Sequence, residues 1–598
     1  MLRQPIQAAT KRGARRLHAS SGRAARSSRT RVLTGGAAVL ALASAGALGA
    51  HFVQPSTLHG DASTSSSFHN AEAVSSSDKP RVEDDGKLRA LSWGSNKSSV
   101  ISSDAPGYEQ IRTPEAVAFL EGVALRDVAL HAHHAACVDV RGDVYQWGDR
   151  FFGDSPTGKS DRKPVRTLQG KNIQSLQVTA SRVFALSASG RVYVLSTRKN
   201  KQGLPSGMPT PASAPWWGTG WMRGEEPAID FAEIVPAQPL SWGEKVTSIA
   251  AGTDHLLALT SSGRTFAHPI TKKANTHGQL GFRKFDVADP SSSTRMNVEL
   301  TPVAVVDPYA RASRFSRAPS GSSSRELREV SENLVNVDDS DIRFSSKLFE
   351  VPALRNVKVV EIAAGGRSSF VRTDAGRVLG WGANDYGQIG LGGNVTLDTI
   401  TVPTEVVLWR STPSGMGTRC IGLHAGGNLT FFTVERRDGT SLSSVELLAC
   451  GNGQFGGLGN AMFTNAQGVP VRTKAVSGLL EYSEKTNNLQ PIVPQTMSVS
   501  PDGHVLLTLD TRAQAGPGGG GRDLIAWGTN YEYQLGNGRR TSVAVPVTME
   551  RGGERFMLER RKAREVRDLE GKVWARGVEV EQVAVAGYGN SMVYWRVC

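Results

Sequence analysis

Cysteine is scarce. Four residues, Cys137, Cys420, Cys450 and Cys598, are spread over 598 positions. So few, so far apart, give neither a disulfide framework nor a zinc cluster, and each reads as a small apolar residue in a strand. Catalytic signatures are missing too. No nucleophile elbow or zinc-protease motif occurs, and the glycine run Gly518 to Gly521 lacks the Lys-Ser/Thr ending of a phosphate loop. His131, His133 and His134 alternate as a strand would present them, yet no acid or cysteine stands at metal-ligand spacing nearby. No catalytic residue, metal or cofactor is therefore expected, and the chain reads as a non-enzyme.

Acidic residues are absent from the first sixty positions, the first being Asp61. Over residues 1–31 stand nine bases: Arg3, Lys11, Arg12, Arg15, Arg16, Arg23, Arg26, Arg29 and Arg31. They supply nine of the net +14, leaving 14 − 9 = +5 for the rest of the chain. Bulk charge thus gives no case for a nucleic-acid partner. An Arg-, Ser- and Ala-rich leader without acids has the composition of a mitochondrial presequence. Residues 32–53 carry no Asp, Glu, Lys or Arg. Twenty-two residues can cross about 30 Å of hydrocarbon, so a single-pass transmembrane helix is expected there. A Ser-rich linker over 54–87 follows, and a positive-side argument turns the body toward the intermembrane space.

What the chain has in quantity is glycine, 65 residues against 28 prolines. Glycine without a collagen period marks tight turns and favours an all-β fold. One unit recurs: a small-residue turn, an apolar strand, a turn ending in glycine, a second apolar strand, then Trp-Gly. It is clearest from Ile362 through Gly365, Gly366, Phe370 and Gly376 to Trp381-Gly382, followed by Asn384, Gly387, Gln388 and Gly390. Other copies end at Trp93-Gly94, Trp147-Gly148, Leu195, Phe266-Ala267 (after Gly252), Cys450-Gly451 (before Gly456) and Trp527-Gly528 (before Gly536). Strand endings near 93, 147, 195, 267, 381, 450 and 527 count seven units. The first is a second half alone. The last, Val585 to Trp595 with Gly587, is a first half alone. Complementary ends predict a closed ring whose last sheet is completed by the N-terminal strand.

Trp-Gly-x-Asn with Gly-Gln-Leu-Gly, repeated, resembles the RCC1-repeat family over roughly residues 88–598. The resemblance implies a seven-bladed β-propeller, with insertions around 198–240, 283–350, 511–522 and 549–575. Leader, apolar stretch and insertion-laden propeller together look like the family's fungal mitochondrial inner-membrane group, linked to assembly of the cytochrome bc1 complex (complex III). That likeness implies a membrane-anchored scaffold for respiratory-complex subunits or assembly factors. The family's nuclear founder is instead an exchange factor for a small GTPase, which gives the alternative: a guanine-nucleotide exchange regulator acting without covalent chemistry.

Two insertions offer partner-binding candidates. Trp216, Trp217 and Trp221 form an aromatic loop. Residues 553–570 are rich in good helix formers and predict a helix presenting Arg560, Arg561, Lys562 and Arg564 to an anionic lipid or acidic partner. Residues 310–350, running from Arg311 to Asp341, read as a solvated insertion with a charge reversal along it.

Overall fold

A computed structural model describes residues 86–598 apart from 103–107, 154–161, 205–228, 289–294, 303–337, 394–396, 411, 413–414, 439–442, 484–485 and 512–520. The chain divides into residues 1–54, which lie outside the described residues, and residues 55–598, to which all that follows refers.

Seven four-stranded antiparallel sheets follow one another. Blade 1 is Leu125–Leu130, Ala135–Asp139, Val144–Trp147 and Val165–Leu168. Blade 2 is Ile173–Val178, Arg182–Ser187, Val192–Ser196 and Ala232–Pro236. Blade 3 is Val246–Ala251, His255–Thr260, Thr265–Pro269 and, beyond a long insertion, Lys347–Glu350. Blade 4 is Val359–Ala364, Ser368–Thr373, Val378–Ala383 and Thr399–Glu405. Blade 5 is Gly417–Gly426, Leu429–Arg437, Ser443–Gly453 and Thr464–Arg472. Blade 6 is Pro494–Val499, His504–Asp510, Arg522–Gly528 and Val543–Thr548.

Blade 7 joins the two ends of the folded body. Val578–Ala586 and Asn590–Val597 are followed in space by Leu91–Ser95 and then Gln110–Ala116. Leu91 faces Val593, Ser92 faces Met592, Trp93 faces Ser591 and Gly94 faces Asn590.

Second strands are buried on both faces, as in Leu256-Leu257-Ala258-Leu259. A strand with neighbouring sheets on either side needs apolar residues at every position, not at alternate ones. The cores accordingly lie between blades: Phe370 and Ile389 of blade 4 pack with Leu423 and Phe432 of blade 5. Trp93, Trp147, Trp381 and Trp527 are fully buried at equivalent places on the third strands. The glycine after each takes a positive φ, at Gly94, Gly148, Gly382 and Gly528, as does Gly451 after Cys450. At Gly382 a Cβ would lie 2.9 Å from Ser368 Cα, so the third strand can lie on the second only without a side chain.

Two expectations need correction. The expected single-pass transmembrane helix over 32–53 finds no support: no helix among the described residues is long and apolar enough to cross a membrane. Residues 32–53 lie outside the described residues. A span needs about 20 apolar helical residues, and the described residues put their apolar side chains into short strands. The single-pass inner-membrane location and the body facing the intermembrane space rested on that helix and fall with it, and the membrane-anchored role in cytochrome bc1 (complex III) assembly, which drew also on the likeness to the mitochondrial group, loses its anchor.

Nor is residues 553–570 a helix. They form short strands: Met557–Leu558 pairs with blade 6, and Arg560–Ala563 pairs with Val578–Glu581 of blade 7. Phe556 and Leu558 are buried while Met557 is exposed, an alternation with the period of a strand. The helix-forming side chains are overruled by two sheet edges needing partners.

Candidate functional site

The ring exposes one face built from the loops after the third strands. In four of them, the side-chain oxygen of an asparagine accepts a backbone N–H five residues on: Asn96 from Ile101, Asn275 from Leu280, Asn384 from Ile389 and Asn530 from Leu535. Gln279, Gln388 and Gln534 hold the same loops through the N–H groups of His277, Tyr386 and Glu532.

Loop carbonyls then receive donors from the next blade. Gln279 O accepts from Trp381 Nε1 at 2.9 Å and Ser369 Oγ at 2.7 Å. Gln534 O accepts from Trp93 Nε1 at 2.8 Å and Ser591 Oγ at 2.9 Å. Val100 O takes Trp147 Nε1 at 2.6 Å and Gly457 O takes Trp527 Nε1 at 2.9 Å. Blade 5, with Cys450 in the tryptophan's place, sends its Sγ to Gln388 O at 3.1 Å. Buried N–H groups must find acceptors, so each loop is fixed to the adjoining blade. Two histidines at the start of second strands add a further tie: His255 Nε2 to Ser369 Oγ at 2.8 Å and His504 Nε2 to Ser591 Oγ at 3.0 Å. Burial pushes His255 down to about 4, so it bonds as the neutral imidazole.

First strands of all seven blades line a central cavity of about 530 Å³. Its polar groups include Asp127, His131, Gln177, Glu361, His424 and Tyr588. The carboxylates are committed to structure. Asp127 accepts the N–H groups of Val128 and Leu176, and Glu361 pairs with Arg372 at 2.7 Å. Burial raises Asp127 to about 6 despite those bonds. Burial, with His133 and Arg150 nearby, lowers His131 to about 4. His131 stacks on His134 with ring centroids 4.8 Å apart. Among the described residues no group of histidine, cysteine and acid could hold a metal. Burial pushes the Cys137 and Cys450 thiols up and Cys420 to about 12, which leaves them protonated and inert.

Candidate contact residues are dispersed. Trp216, Trp217 and Trp221 lie outside the described residues. Arg560 and Lys562 are exposed on the added strand beside blade 7, and Arg564 is exposed just beyond it. Arg561 turns inward: its guanidinium lies 4.9 Å from the Trp595 ring centroid and donates to Lys87 O. On the loop face, Tyr108 is 69%, Phe463 61% and Tyr531 49% exposed, with Leu397 and Met462 also open. Sequence reading missed these because each stands in a loop without periodicity. Tyr531, in the place that Asp385 holds in blade 4, carried the only signal.

These features, seven sheets, Trp-Gly strand ends and Asn/Gln-capped loops, define an RCC1-repeat β-propeller. Residues 359–388 and 375–433 match the regulator of chromosome condensation (RCC1) repeat. In particular, the chain is related to protein FMP25, mitochondrial, of Saccharomyces cerevisiae, with 23% identity over 510 residues covering 81% of this chain and 70% of that protein. It is similar too to the RCC1 domain-containing protein RUG3, mitochondrial, of Arabidopsis thaliana, at 27% identity covering 46% of this chain and 56% of RUG3. The structure of yeast RCC1 (Prp20) bound to Kap60 matches with a TM-score of 0.50 at 15% identity, over 90% of this chain and 97% of that one, a likeness of fold. Prp20p is described with its binding to Gsp1p and histones.

Proposed function

We propose that this chain is an RCC1-like regulator of a small GTPase, promoting release of bound guanine nucleotide by docking the GTPase on the loop face, without covalent chemistry. The observation that carries the docking is that face. Loops tied to the next blade hold Tyr108, Met462, Phe463 and Tyr531 open to solvent, and rigid aromatic groups bind proteins at low entropic cost. The partner class comes from the repeat family. Prp20p's association with Gsp1p is a property of Prp20p and motivates the choice. The basic leader over residues 1–31, and two relatives named as mitochondrial, support action in mitochondria.

The test is release of fluorescent GDP from mitochondrial small GTPases, with nucleotide-free complex formation measured alongside. Acceleration of at least about tenfold, reduced by a joint Phe463→Ala and Tyr531→Ala change, is expected. No acceleration and no nucleotide-free complex with any of them would refute the reading. A fluorescent fusion lacking residues 1–31 should lose mitochondrial targeting.

A further inference from the structure

Blade 6 departs from blades 3, 4 and 5 at one loop position. Where blades 3, 4 and 5 carry Gly278, Gly387 and Gly456, it carries Tyr533. All four take a left-handed backbone, with φ of +76°, +72°, +78° and +62°. At the three glycines an added Cβ would fall 2.8, 2.4 and 2.7 Å from Thr401, Gly468 and Ala544 Cα, each on the fourth strand of the next blade. A tyrosine at such a φ is disfavoured. Other groups hold this one. Its ring centroid lies 5.5 Å from Arg112 Cζ, on blade 7's fourth strand, and 5.6 Å from Arg540 Cζ. Arg540 Nε also donates to Tyr531 O at 2.6 Å. Among the described residues no carboxylate pairs with Arg112, Arg539 or Arg540, and all three are exposed.

Beside this stack, the outer strands of blades 6 and 7 bound a cavity of about 450 Å³. Leu535, Val543, Val547 and Met549 give it apolar walls, and Thr113 and Arg539 also line it. That volume suits a side chain or two of a ligand. Apolar walls beside three guanidiniums with no carboxylate partner among the described residues call for an occupant carrying both an apolar group and carboxylates.

We propose that this groove docks a short acidic segment of a partner protein, one apolar side chain seated in the cavity and its carboxylates on Arg112, Arg539 and Arg540. Nucleic acid fits less well. Two arginines already lie over the Tyr533 ring, and a base would have to displace one of them to stack there. The site does not depend on the GTPase reading, since any protein presenting such a segment would satisfy it.

Fluorescence anisotropy on the full chain tests the groove. The probes are a short labelled peptide of glutamates around one leucine, the same peptide with alanine for leucine, the same with lysines for glutamates, and a short oligothymidylate. The Glu/Leu peptide should bind, and the alanine and lysine versions should each bind at least about fivefold more weakly. A joint Arg112→Glu and Arg540→Glu change should weaken binding about tenfold or more. Tyr533→Gly installs the residue used by blades 3, 4 and 5. It should weaken binding about threefold while the melting temperature holds or rises, which separates loss of the site from loss of the fold. No binding by the unaltered chain, equal binding by the charge-reversed chain, or tighter binding of the oligothymidylate would overturn the proposal.

Discussion

Five junctions of this ring and the one between blades 2 and 3 solve one packing problem differently. Entering blades 1, 4, 6 and 7, a tryptophan fills the space between sheets and donates to the preceding loop, and entering blade 5 Cys450 makes the same kind of contact. Blades 2 and 3 have Leu195 and His268 at that place. Their fourth strands instead pair in parallel, Val235 with Lys347 and Pro236 with Leu348, which joins the two blades into one eight-stranded sheet at the rim. The fully buried Arg182 donates to the carbonyls of Ile270, Asp339 and Asp341 and so ties the insertion down. Burial lowers this guanidinium to about 10. A ring can thus close through a repeated indole or through a single buried cation with a shared edge. The second route needs segments far apart in sequence.

The contrast predicts unequal losses. Trp381→Ala removes a buried indole and leaves Gln279 O one donor short, at a cost of about 4 kcal/mol in chemical denaturation. An effect under about 1 kcal/mol would show that the indole is not what closes the junction. Arg182→Met strands three carbonyls and should cost about 3 kcal/mol. Proteolysis should then begin near residues 338–346, whereas in Trp381→Ala it should not. Equal cleavage in both would erase the distinction.

Titration sharpens it further. Burial lowers His131 and His255 to about 4 and His268 to about 3, and it also depresses His134 and His424. A histidine buried neutral contributes stability that is present in full above its unfolded value of about 6.5 and is lost as pH falls toward the folded value. Asp127 and Asp139, raised to about 6 chiefly by burial, act oppositely, favouring the fold at lower pH. Five groups outweigh two, so the melting temperature should climb between about pH 4 and pH 6.5. His268→Phe, in the junction without an indole, should flatten the climb more than any change at Trp381. A melting temperature highest near pH 4.5 would contradict this.

The smallest effect concerns His134. His255 and His504 have serines opposite them in the next blade, whereas blade 2 offers Val183 in the place of Ser369, and neither ring nitrogen of His134 has a hydrogen-bond partner among the described residues. Val183→Ser should supply one, with a coupling to His134 of about 1 kcal/mol in a double-mutant cycle. Zero coupling would mean that the tie seen at His255 does not transfer.

Much of this was legible because the repeat prints its contacts locally. Trp-Gly, the loop asparagine and the complementary chain ends each follow from residues close in sequence. The rim was not legible. Lys347–Glu350 reaches blade 3 across an insertion of some 75 residues, and nothing near Leu348 marks its partner. Residues 553–570 misled because Glu, Arg and Lys favour helices in isolation while two waiting sheet edges decide the outcome. The groove beside Tyr533 shows in the sequence only as one tyrosine at a glycine position, and its arginines come from opposite ends of the chain.

Everything rests on the two ends of the body sharing blade 7. Ser92→Cys with Met592→Cys places two thiols at directly paired positions. Mild oxidation of the native protein should give an intrachain crosslink in high yield, with a raised melting temperature. Failure to crosslink in the folded state, while a control pair within blade 4 such as Phe370→Cys with Gly380→Cys links readily, would open the ring and contradict the account.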